Sequence, residues 1–111
     1  MRFVGERRRT VEIQVLHFAG CPNHDRALQL LREVAQELGL AIEVEVSEVP
    51  DQAAAAALRF LGSPTIRIAG RDIDPDARER THFALACRRY GHSGVPPREM
   101  IRRALIAGST T

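Results

Sequence analysis

The chain has 111 residues, 44% of them hydrophobic and 27% charged, with a formal net charge of +2. Those figures fit one globular domain and exclude both a two-domain protein and a disordered one. All 16 basic side chains are arginine, which rules out Schiff-base chemistry and a phosphate-loop lysine.

Two cysteines, Cys21 and Cys87, lie far apart with no disulfide framework around them. This usage suits the cytoplasm, where free thiols persist, and points to a chemical role for a thiol. Arg2, Arg7, Arg8 and Arg9 crowd one end, and Arg98, Arg102 and Arg103 lie near the other. They read as a solvated extension and a helix's polar face before a binding patch. With so small a net charge, and only four Phe and one Tyr for stacking, nucleic acid is not the expected partner. No apolar run approaches the roughly 18 residues of a membrane span, and no signal-peptide core is evident, so no membrane partner is expected. The expected organisation is a basic extension over 1–10, one domain over 11–107 and a tail over 108–111.

In chain order, Val11, Ile13 and Val15 alternate with Glu12 and Gln14 and give way to an apolar stretch before Gly20. That is a strand that becomes buried on both faces. Cys21, Pro22 and Asn23 open a helix whose apolar stripe is Ala27, Leu30, Leu31, Val34 and Leu38, with Gly39 as its left-handed stop. Residues 41–46 alternate as a half-buried strand, with Glu43 and Glu45 on its wet face. Pro50 and Asp51 begin a second, alanine-rich helix anchored by Leu58 and Leu61 and ended by Gly62. Residues 65–74 predict a hairpin with its tip at Gly70. Residues 82–90 predict a short helix bearing Phe83, Leu85 and Cys87, and after a loop Pro96 and Pro97 start a final helix striped by Met100, Ile101, Ala104 and Leu105.

A strand ending in Phe18-Ala19-Gly20, a cysteine at a helix start and a later Gly62-Ser63-Pro64-Thr65 running into a hairpin together resemble the thioredoxin-like superfamily. The segments HFAGCPNH, FLGSPTIRI, ACRRY and VPPREMI look like its small bacterial "DF family (seleno)protein" type, some members of which carry selenocysteine in place of the cysteine. The resemblance implies a three-layer α/β/α fold around a mixed sheet of about four strands. It also implies that Cys21 reacts and that the loop of Ser63, Pro64 and Thr65, with a cis bond before Pro64, binds an extended substrate strand through the Ser63 backbone. Cys21-Pro22-Asn23-His24 stands where such proteins usually carry Cys-x-x-Cys, so a dithiol cycle within one helical turn is excluded.

Physically, a thiol at a helix start faces unpaired N–H groups and the positive end of the helix dipole, which favour thiolate. His24 would stabilise that thiolate as imidazolium, or exchange its proton as a neutral ring. Cys87 has two readings, core packing first and a resolving thiol for Cys21 second. Arg88 and Arg89 read as a solvated face, with pairing to an acid or to an anionic thiol as the alternative.

The expected function is a monothiol redox protein, an enzyme only if it turns over. Cys21 and His24 are its catalytic residues, and its partner is a disulfide-containing protein or a small-molecule thiol, with no cofactor. One alternative is a metal or heavy-metal binder built from Cys21 and His24 with Cys87 and His92. The other is a binding module without turnover.

Overall fold

A computed structural model describes residues 10–91 and 93–110. The arginines of the first nine residues and His92 lie outside this set. Strand β1 (Thr10–His17) leads to helix α1 (His24–Glu37), strand β2 (Ala41–Glu48) and the short helix α2 (Gln52–Ala57). The hairpin of β3 (Thr65–Ile68) and β4 (Arg71–Asp72) follows, then a 3-10 turn at Pro75–Ala77 and helix α3 (Arg98–Ser109).

The four strands form one mixed sheet in the order β2-β1-β3-β4. β1 pairs with β2 in parallel, Val11 beside Ile42, and with β3 in antiparallel, Val15 beside Ile66. A parallel pair needs a long crossover, which α1 supplies. This is the small α/β arrangement expected of a thioredoxin-like fold.

The alternation in β1 sorts its side chains onto two unequal cores. Val11, Ile13 and Val15 join Ile66 and Ile68 against Ala27, Leu31 and Val34 of α1 and Ile101 and Leu105 of α3. The opposite face is covered at one end only, where Leu16 packs with Val49, Ala55 of α2 and Phe60. The third layer is therefore thin: beyond Leu16 that face carries the exposed Glu12 and the half-buried Gln14 and Arg67. β2 is an edge strand, and Val46 stays 42% exposed although it alternates with Glu45.

The turns are set by a few special conformations. α1 ends as the sequence predicts, with Gly39 at φ +68° and Leu40 N–H donating to Ala35 O. α2 ends earlier than predicted. Arg59, at φ +55°, takes the left-handed position, and Phe60 N–H donates to Ala55 O. Gly62 is thus not the helix stop; its role is a close approach, since a Cβ there would lie 3.0 Å from the Arg88 Cβ at φ +113°. Ala69 and Gly70, both at positive φ, form the two-residue hairpin turn.

The helix predicted over 82–90 does not form. Arg88 and Tyr90 are buried while Cys87 and Arg89 are exposed, a period of two that belongs to extended chain. A helix would place residues 88 and 90 on different faces, so burying both requires an extended backbone. Arg88, expected on a solvated face, is buried, and that burial is what the composition of the segment does not display. α3 runs through Ser109 and β1 begins at Thr10, so regular structure passes both ends of the predicted 11–107 domain.

Candidate functional site

The turn between β1 and α1 carries Cys21. Gly20 at φ +80° reverses the chain, and Cys21 N–H donates to Phe18 O at 3.2 Å. Helical hydrogen bonding begins after Asn23, whose carbonyl accepts from Ala27 N–H, so Cys21 lies two residues before the cap and not inside the helix. Its residue is 5% exposed, and among the described residues its Sγ has no hydrogen-bond partner.

His24 makes no hydrogen bond to that sulfur. Its Nδ1 donates to the Cys21 carbonyl at 3.1 Å, and Nε2 faces Asp25 Oδ1 at 3.3 Å. A carbonyl can only accept, so the first contact places the proton on Nδ1. The ring also stacks on His17, with centroids 3.9 Å apart and planes 2° apart. His24 therefore braces the Cys21 turn. Sequence reasoning missed His17 because a strand residue and a helix residue on either side of a turn share no period.

The Ser63–Pro64 peptide bond is cis. Ser63 Oγ accepts from Phe18 N–H at 3.3 Å, which ties this loop to the Cys21 turn. Thr65 Oγ1 donates to Gly62 O, and Tyr90 Oη donates to Pro64 O at 2.5 Å. The backbone groups of Ser63 are already paired within the chain: Ser63 N–H donates to Ala86 O at 2.8 Å and Arg88 N–H to Ser63 O at 2.9 Å. Residues 86–88 thus lie as a one-residue parallel strand on the loop expected to take an antiparallel substrate, and Cys87 is the bridge partner of Ser63.

Cys87 is exposed, which corrects the core-packing reading. Adjacent strands run about 4.8 Å apart, so the bridge sets the Cys87 backbone against the loop that also holds the Cys21 turn.

The segment is locked by a buried ion pair. Arg88, 4% exposed, donates through both terminal nitrogens to Asp72 at 2.8 and 2.7 Å and lies over the Tyr90 ring at 4.4 Å. Burial acts against the Arg88 charge, but the hydrogen bond to Asp72, with the charges of Tyr90, Asp72 and Asp74, outweighs it and raises its pKa. Its Nε has no partner among the described residues.

Tyr90 is pushed well above the ordinary phenol range, mainly by burial, with Asp72 and Asp74 adding to the shift against Arg88. A raised folded-state value means that its stabilising contribution is complete below the unfolded value of about 10 and is lost as pH rises through the folded one. The chain has one tyrosine and no lysine. Stability should therefore fall in the alkaline range, and Tyr90→Phe should flatten that fall when urea midpoints are measured across pH.

Among the described residues no three His, Cys, Asp or Glu side chains gather as a metal site, and His92 lies outside them. No helix among them is long and apolar enough to cross a membrane. Comparison with family models, with curated proteins and with solved structures gave no match to the chain.

Proposed function

We propose that this domain is a thiol redox protein whose nucleophile is Cys21. The observation that carries the reading is the placement of Cys21 on a turn fixed from both sides, by Phe18 and the Ser63 hydroxyl and by His24 on the Cys21 carbonyl, beside the cis Ser63–Pro64 loop. A thiol that must attack gains from a fixed backbone, which holds the sulfur in one place for the incoming group.

Cys21 as thiolate attacks one sulfur of a disulfide, forming a mixed disulfide and releasing the other sulfur as thiolate, which takes up a proton. With a peroxide it attacks oxygen, giving sulfenic acid and releasing water or an alcohol. Cys21-Pro22-Asn23-His24 holds no second thiol, so release falls to a small-molecule thiol, to a partner, or to Cys87 on the adjacent bridge. His24 acts as a positioning residue, and the partners are disulfide-containing proteins or small thiols in the cytoplasm.

The reading of a binding module without turnover is less well supported, because the Ser63 groups that a partner strand would use are engaged by residues 86 and 88. The test is exposure of the Cys87→Ser chain to hydrogen peroxide with a sulfenic-acid probe present, read by intact mass. One probe adduct on native protein, at Cys21, is the expected result. A thiol that labels only after unfolding counts against the proposal.

A further inference from the structure

Beside the α2 end of the open sheet face lies a cleft of about 450 Å³, lined by Arg59, Arg67, Arg71, Arg78, Arg80 and Phe83. We propose that this cleft binds a compact phosphate-bearing polyanion, independently of the chemistry at Cys21.

Five arginines line this one hollow, and among the described residues none of them forms a salt bridge. Asp72, which also lines the cleft, is committed with both oxygens to Arg88. Arg67 is held in place by carbonyls, donating to Leu58 O at 2.6 Å and Arg59 O at 2.8 Å, while its other terminal nitrogen reaches Gln14. Arg78 uses Nε on Asp72 O, which leaves its terminal nitrogens free of any described partner. Arg59 is spread over the Phe83 ring at 5.0 Å. Arg71 and Arg80 are exposed and make no side-chain hydrogen bond among the described residues.

Burial lowers the Arg67 pKa. Asp72 opposes that shift, and the charges of Arg59 and Arg88 add to it. Five like charges around one hollow repel one another, and a bound anion relieves that repulsion. Arginine's planar fork suits phosphate oxygens, and the volume suits a small molecule rather than a nucleic-acid duplex. Glu12, Glu43 and Glu45 line the neighbouring hollow on the same sheet face, which confines an anion to the arginine end.

The test is calorimetric titration of the full chain with inorganic pyrophosphate, with ADP, and with sulfate as the weaker anion. Saturable binding of one pyrophosphate or ADP, tighter than sulfate and weakened by salt, is expected. Arg71→Ala with Arg80→Ala should weaken it by about tenfold or more, on the usual strength of charge-assisted hydrogen bonds. Arg26→Ala, on α1 across the sheet, should leave it unchanged. Tighter binding of ADP than of pyrophosphate would identify the ligand as a nucleotide, and equal binding as a simpler phosphate compound. The double variant removes no side-chain hydrogen bond or salt bridge of the described residues, and its urea midpoint checks that the fold is kept; Arg80→Gln alone serves as the milder change. Absence of saturable binding, wild-type affinity in the folded double variant, or binding only to long nucleic acid with stoichiometry growing with length would overturn the proposal.

Discussion

Replacement of Asp72 by alanine is expected to destabilise the domain by about 3–5 kcal/mol, the usual cost of removing one partner from a buried ion pair. The pair qualifies because the two side chains are 2% and 7% exposed and bonded through both terminal nitrogens of Arg88. Without Asp72, a guanidinium with an unpartnered Nε would be left in the interior beside Tyr90. The damage would spread along the chain, since Arg88 also supplies the N–H that holds Ser63 O. Urea unfolding followed by circular dichroism measures the loss. An Asp72→Leu, Arg88→Met double variant should recover much of it, because well-packed apolar groups can replace a buried pair at little cost. By contrast, the exposed Arg98, which bonds Glu33 and Glu37, should contribute no more than about 1 kcal/mol. A loss for Asp72→Ala no larger than that would contradict the account of the segment.

The sequence was legible where one period dominated. Val11, Ile13 and Val15 on a strand, Ala27, Leu31 and Val34 on a helix, and Ala69-Gly70 between short strands each have one low-energy solution, and the structure takes it. The order of elements from the first strand through the hairpin, and the last helix, followed from these local patterns, because a strand, a helix and a strand at such spacing favour parallel pairing.

Residues 82–90 were not legible, for a physical reason. Their burial depends on a charge pair between Arg88 and Asp72, distant in sequence, and an arginine displays no apolar period. The same gap hid the state of Cys87, whose exposure follows from the extended backbone, and the engagement of Ser63 by residues 86 and 88. Gly62 misled in a simpler way: it stands where a helix stop is expected, but Arg59 takes the left-handed position and Gly62 is needed for close passage of Arg88. At the candidate site, a helix directly after the Cys21 turn was legible from its local pattern, although it starts three residues later than expected, and the cis bond at Ser63–Pro64 agrees with what the family resemblance implied. The stack of His17 on His24 was not.

Replacement of Cys21 by serine should abolish turnover while leaving the fold intact. Serine matches cysteine in shape closely enough for a 5% exposed position, and the hydrogen bonds of the turn come from the backbone and from His24. Among the described residues no base hydrogen-bonds the Cys21 side chain, and His24 is committed to the Cys21 carbonyl and faces Asp25, so a serine hydroxyl there would lack activation. Cys87→Ser should behave differently. If a small-molecule thiol releases the oxidised Cys21, that variant slows without stopping, whereas loss of Cys21 removes the attacking atom itself.

The measurement that decides is the rate at which purified wild-type, Cys21→Ser and Cys87→Ser chains reduce a small disulfide or consume peroxide, with a thiol reductant in excess. The expected rate for Cys21→Ser equals that of the reductant alone, and the other two chains exceed it. Equal turnover by wild type and Cys21→Ser across a panel of disulfides and peroxides would contradict it.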